Sequence, residues 1–281
     1  MVEVIKKGFY TTIQDLGRLK YLNIGVPISG VMDQYSSKLA NKLLNNDEND
    51  AVLEVTMVGP ELKFLKNTFI CITGADLSPK LNNLSIQLNS VIKISINDVL
   101  SFGKLKQGYR CYIAIKGGFF SEDKLGSKSM CNPITETSVV NTGDQISYNA
   151  LLSLNLIKNS KLKYNSSHFD AKFIEVYEGP EFDKLTENQK QILFTQEFTI
   201  SNTNNRMAYQ LDEVFKNTID QIITSLVLPG TVQLTPDGKL IILMRDAQTT
   251  GGYPRILQLK EQSINCLAQK FTGNKIQFKK V

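Results

Sequence analysis

Tryptophan is absent from the 281 residues, histidine occurs once and cysteine four times. The single His168 stands in a polar stretch with no cysteine near it, which leaves neither a zinc site nor a Ser-His-Asp triad to assemble. Cysteines 71, 111, 131 and 266 share no short spacing; Cys71 and Cys111 lie in strand-like apolar runs, where a buried thiol behaves as a small hydrophobe. No apolar run approaches the ~18 residues of a spanning helix. The opening MVEVIKKGFYTTIQDLG lacks a basic region followed by a long apolar core, so no signal peptide is expected and a cytoplasmic, non-membrane protein is. The net charge of +5 comes from 32 basic residues spread along the chain. Without a Lys/Arg block, nucleic-acid binding is not expected, and the mild basicity favours at most an anionic small molecule or partner. There is also no GxxxxGK[ST] loop and no lysine between two methionines, so a nucleotide-triphosphate site or a biotin attachment would have to come from another polypeptide.

What is present is a soluble-protein composition, 42% hydrophobic and 21% charged, long enough for two ordinary cores. Short strand-like runs, LEVTMVG, LKFL, FICITG, VIKISI, VLSFG and YRCYIAIKGG, follow one another between residues 51 and 148, separated by Gly, Asn, Asp or Pro. That spacing predicts a sandwich or barrel and no βα alternation. Asp33 reads as the N-cap of a helix reaching Asn45, with Tyr35, Leu39, Leu43 and Leu44 on one face. Thr186, with Gln189 three residues on, reads as a capping box. Asn149 to Phe169 has the polar make-up of a linker. A loose recurrence of Gly-Pro-Glu at 59 and 179, Gly-Gly at 117 and 251 and a late Gly at 143 and 273 suggests two related β domains, placed at 1–160 and 161–281.

The stretch from Pro229 to Pro254 is the most informative. Two apolar runs flank Pro236-Asp237-Gly238, a hairpin signal, and the second run leads into Gln248-Thr249-Thr250-Gly251-Gly252-Tyr253. Paired glycines permit positive φ and close approach of another group, and the neighbouring hydroxyls and N–H groups suit a carboxylate, carbonyl or phosphate. An ordinary turn is the competing reading. Other polar groups in loop-like stretches are Gln14, Asp15 and Arg18, then Asp76, Arg206 and Gln233. Arginine offers bidentate recognition of an oxyanion, and Asp15 or Asp76 could act as a base in a partly buried site. Equally, Asp15 could pair with Arg18, and Asp76 could cap a turn.

Taken together the motifs resemble the biotin-dependent carboxyltransferase, or allophanate hydrolase subunit 2, family, and within it the C-type subunits of bacterial 5-oxoprolinase. The matching residues are Gln14-Asp15-Leu16-Gly17-Arg18, Gly25 to Asp33, Leu53-Glu54-Val55, Thr73-Gly74-Ala75-Asp76 and Lys116-Gly117-Gly118. They continue with Gly126-Ser127-Lys128-Ser129, Glu178-Gly179-Pro180, Asn205-Arg206-Met207-Ala208-Tyr209, Gln233 and Gln248 to Pro254. The resemblance implies a mainly β protein of two cyclophilin-like β-barrel domains with a few short helices and a cleft between them. It implies Asp15, Arg18, Asp76 and Arg206 as catalytic residues, and Gln14, Gln233, Thr249, Thr250, Gly251, Gly252 and Tyr253 as substrate-binding ones, with no metal. The implied reaction is ATP-driven opening of the 5-oxoproline lactam to glutamate, by a chain inactive alone. The implied partners are a companion subunit 1 (the B type) and a lactam-utilisation subunit (the A type). Two alternatives remain: a carboxyltransferase moving a carboxyl group from carboxybiotin, on a separate carrier, to urea; and a regulatory protein antagonising an inhibitor of a sporulation kinase. The segment departs from the family pattern SDRMGYRL, with Asn205 in place of the acid and Gln210 in place of an arginine.

Overall fold

The alternating apolar runs of the first half become strands of two sheets, as a computed structural model describing residues 1–149 and 167–281 shows. Five strands form one sheet in the order Tyr10–Gln14, Val52–Thr56, Gln107–Ile115, Thr68–Asp76 and Val91–Ile94. A six-stranded sheet joins Gln145–Ile146, Val2–Lys6, Glu61–Phe64, Val99–Ser101, Lys80–Leu81 and Leu84–Ser85. The period of two sorts the side chains. Leu53, Val55, Ile70, Ile72, Ile113 and Ile115 join Val2, Val4, Leu62 and Phe64 in one core, while Val52, Cys71, Tyr112 and Ala114 face the other way. There they meet Ala40 and Leu44 of the helix Gln34–Leu43 and the residue after it. Burial pushes the Cys71 thiol up to about 12 and Cys111 higher still, so both are inert apolar filler.

That helix starts where the Asp33 carboxylate accepts from Ser36 N at 3.1 Å and Ser36 Oγ at 2.6 Å. Its entry is pinned from the sheet: Asp33 N donates to the Tyr112 hydroxyl at 2.8 Å, which donates to Glu54 at 3.0 Å, and Met32 N also donates to Glu54 at 2.7 Å. Burial first, then the charge of Glu54, holds the Tyr112 phenol well above its ordinary value.

The second half closes a seven-stranded barrel in the order Phe173–Glu178, Arg255–Leu259, Thr231–Leu234, Lys239–Leu243, Ala208–Val214, Phe198–Asn204 and Lys275–Lys280. Closure is made by the last strand, which runs parallel to the first. The Pro236-Asp237-Gly238 turn joins its two strands as expected, with Thr235 Oγ1 bonding Asp237 Oδ1 and Gly238 at a φ of 81°. Thr186 and Gln189 form the capping box of the helix Glu187–Thr195. A helix forms at Glu261–Ala268, a stretch to which the sequence assigns no element. Its N-cap is Lys260, which has no side-chain acceptor, and EQSINCLA carries several weak helix formers, so neither start signal nor propensity betrays it.

By their contacts, Met1–Gly17 and 29–149 make one compact unit, and Arg18–Ile28 with Ser167–Val281 make a second. The boundary expected at 160/161, and most of the expected linker from Asn149 to Phe169, lie outside the described residues. Among the described residues no helix is long and apolar enough to cross a membrane.

Candidate functional site

In the first unit, Gln14 and Asp15 end the strand Tyr10–Gln14, and both are buried. The Gln14 amide donates to Thr12 Oγ1 at 3.0 Å and to the Met130 carbonyl at 2.9 Å. Asp15 accepts from Gly17 N at 2.8 Å, Ser127 Oγ at 2.6 Å, Ser129 Oγ at 2.6 Å and Lys128 N at 2.7 Å. Its partners include the Gly126-Ser127-Lys128-Ser129 segment and its own turn. Four donors fix one carboxylate between two loops, an arrangement suited to positioning them. The serines are two residues apart and follow a glycine; nothing in that spacing alone marks them as partners of Asp15.

Asp76 ends the long strand Thr68–Asp76 and accepts from Ser78 N at 2.8 Å, the turn cap that sequence allowed for. It also borders an open depression of about 390 Å³ with Lys106, whose ammonium lies 3.8 Å away.

The second unit carries the denser arrangement. The strands Ala208–Val214 and Lys239–Leu243 pair with Ala208 opposite Leu243, and the ladder continues outward through Met244 N to Met207 O and Asp246 N to Arg206 O. That register sets Arg206 beside Asp246. Arg206 Nε donates to Asp246 Oδ2 at 2.8 Å and Nη2 to Oδ1 at 2.9 Å, a two-pronged pair with side chains only 6% and 16% exposed. Arg206 thus has a carboxylate partner in the turn that follows the neighbouring strand. Asn205 instead caps the turn, accepting from Met207 N and Ala208 N.

Arg18 falls in this unit and is buried. Its segment passes the glycine-rich stretch: a Cβ added at Gly25 would meet Thr249 Oγ1 at 3.9 Å. Thr250 and Gly251 form a short strand paired with Ser225–Leu226, and the ribbon is extended by Ile222 N donating to Gly252 O and Val227 N to Thr249 O. Residues 222–227 therefore lie as a flap along residues 249–252. Neither Gly251 nor Gly252 has a left-handed φ, which corrects the sequence expectation. Strand pairing requires an extended backbone here, and the small residues are needed for close approach instead: a Cβ on Gly252 would press on the Ile222 carbonyl at 3.2 Å, and one on Gly251 would lie 2.5 Å from Gln233 Nε2. Thr249 is buried, whereas Thr250 and Tyr253 are exposed.

The flap is tied down by a pair that sequence reading passed over. Glu181 accepts from Arg255 N, Nε and Nη2 at 2.9, 3.0 and 2.9 Å, and Arg255 Nη1 reaches on to the Leu226 carbonyl at 3.0 Å. The Arg255 hydrogen bond, ahead of all other influences, holds the Glu181 carboxyl below its ordinary value. A carboxylate with a depressed folded pKa adds stability above its unfolded pKa and loses it as pH falls through the folded one. Thermal unfolding across an acid series should therefore show wild type losing stability more steeply than Glu181→Gln; parallel curves would remove the linkage. Among the described residues, no three His, Cys, Asp or Glu side chains gather where they could hold a metal ion.

Residues 24–280 match the family model of the carboxyltransferase domain, subdomain A and B, and the chain belongs to that family. It is 29% identical to the C subunit of the Escherichia coli (strain K12) 5-oxoprolinase, over 99% of this chain and 90% of that one. It is 43% identical to the urea amidolyase of Lachancea kluyveri over 128 residues, 45% of this chain and 7% of that protein. Among solved structures, the K. lactis urea amidolyase superimposes with a TM-score of 0.86 at 27% identity, over 99% of this chain and 18% of that one. The protein TTHA0988 shares the fold, with a TM-score of 0.87 at 22% identity; this chain spans 99% of itself there but only 55% of that chain.

Proposed function

We propose that this chain is the C-type subunit of an ATP-dependent 5-oxoprolinase, working with B-type and A-type partner subunits to open the 5-oxoproline lactam to glutamate. One observation carries the choice over a urea carboxyltransferase. The alignment with the E. coli subunit runs nearly end to end on both sides, whereas the urea amidolyases are many times longer than the part matched. The stronger local identity to urea amidolyase keeps the carboxyltransferase as the second reading, and both handle a planar amide or ureido carbonyl.

A lactam is held planar by resonance, so ring opening needs its carbonyl oxygen activated and water kept from the intermediate. ATP would supply the activation by phosphorylation. Among the described residues, neither glycine pair is arranged as a triphosphate cradle. Gly251 and Gly252 are engaged in strand pairing, and the left-handed pair Gly117-Gly118 already donates its N–H groups to Asn46 and to the Ile115 carbonyl. ATP is accordingly assigned to a partner protein, and the share of this chain is to bind and orient the amide. Arg206, held rigid by Asp246, and the 249–252 segment under its flap are the groups proposed for it.

Purified alone, the chain is expected to show no ATP-dependent turnover of 5-oxoproline. Mixed with its B- and A-type partners, it should release glutamate and ADP. Turnover by the lone chain, or a three-part mixture that opens no lactam while fixing a carboxyl group on urea, would displace this reading.

A further inference from the structure

The barrel strand Thr231–Leu234 is buried along its whole length, at every one of its four positions. Strand alternation sends Val232 and Leu234 to one face and Thr231 and Gln233 to the other. Gln233 stands opposite Ile241 in the ladder, and Ile241 packs with Leu243, Ala208, Ala247 and Val227. Val227 belongs to the flap, so this outer face of the barrel is roofed with apolar groups. Within it the Gln233 side chain is 2% exposed, and its Nε2 has no hydrogen-bond partner among the described residues. Folding would ordinarily select an apolar residue here, because a buried, unsatisfied donor is destabilising. Nε2 lies against Gly251, and a Cβ at that position would collide with it. Glycine is thus required to admit the amide, and Thr249, two residues back in the same segment, reaches toward Gly25.

We infer that Gln233 Nε2 is the donor for the carbonyl oxygen of a small planar amide, a lactam or a urea, bound beside Gly251 under the flap. This rests on the proposed function and narrows it to one atom. A carbonyl acceptor satisfies the stranded donor, and the flap then shields the amide from water, where a single hydrogen bond discriminates strongly between substrates.

The test uses the full chain with 5-oxoproline and urea as separate probes, read by ligand-observed NMR titration and by thermal unfolding. Wild type should bind at least one probe. Gln233→Leu should weaken that binding at least tenfold while unfolding at or above the wild-type temperature, since removing an unpaired donor leaves nothing unsatisfied. Gln233→Glu should weaken it likewise, because a carboxylate repels a carbonyl oxygen. The inference is overturned if wild type binds neither probe, if Gln233→Glu binds as well as wild type, or if Gln233→Leu loses stability but not affinity. A reconstituted enzyme that turns over 5-oxoproline equally well with Gln233→Leu overturns this inference alone. Amide binding through Gln233, in a chain whose complexes never open 5-oxoproline, overturns the proposed function and leaves this assignment standing.

Discussion

Asp246→Ala is expected to destabilise the barrel unit by about 3 kcal/mol, because it strands the buried Arg206 guanidinium without its carboxylate. Arg206→Ala should do the same to Asp246, with a somewhat smaller loss since Asp246 is the more exposed member, 16% against 6%. The informative variant is the double replacement, Arg206→Met with Asp246→Leu. Taking away both charges leaves no uncompensated ion, so the double variant should recover much of what either single change loses. Urea unfolding of the four proteins gives a coupling energy, expected at about 2 kcal/mol. Additive losses would mean that the two side chains do not support one another. The same four proteins separate structure from chemistry: a double variant that is as stable as wild type, yet at least tenfold less active in the assembled enzyme, would place the guanidinium on the substrate.

Gly74→Ala should be the most damaging small substitution in the first unit, at about 4 kcal/mol. Gly74 lies toward the end of the strand Thr68–Asp76, opposite Cys111 and beside the register shift between Gln107 and Cys111. Its φ is 81°, a conformation alanine resists, and a Cβ there would sit 2.5 Å from the Arg110 carbonyl and 3.0 Å from the Tyr112 ring. The two penalties arise from different atoms, so relief of one leaves the other. Moreover, Tyr112 anchors the start of the helix Gln34–Leu43, and a shifted ring would loosen Asp33 as well. Thermal unfolding that leaves Gly74→Ala within a degree of wild type would refute the argument.

Much of the fold is legible in the sequence because periodicity and turn chemistry are local properties. The hairpin at Pro236-Asp237-Gly238, the Asp33 cap and the Thr186 capping box each announce themselves within five residues. The helix Glu261–Ala268 does not, having neither a capping side chain nor a strong propensity. At the candidate site the residue types are readable, but their partners are not. Asp246 reaches Arg206 across a strand pair, and Ser127 and Ser129 reach Asp15 across 112 and 114 residues. Such contacts depend on register, which a one-residue slip would invert. The positive φ that Gly251-Gly252 would permit is not used, for a related reason. Only the pairing with Ser225–Leu226, far back in the chain, shows that the backbone there is extended.

The assignment of Arg18–Ile28 to the barrel unit has a consequence for biosynthesis. Gly25 is translated well before its final neighbour Thr249, with the first unit between them in the chain. The excursion therefore stays without that neighbour until the barrel segment carrying Thr249 has been made, and the barrel unit is completed by residues that precede the first unit's other strands. Chains cut anywhere between the halves would each inherit an incomplete molecule.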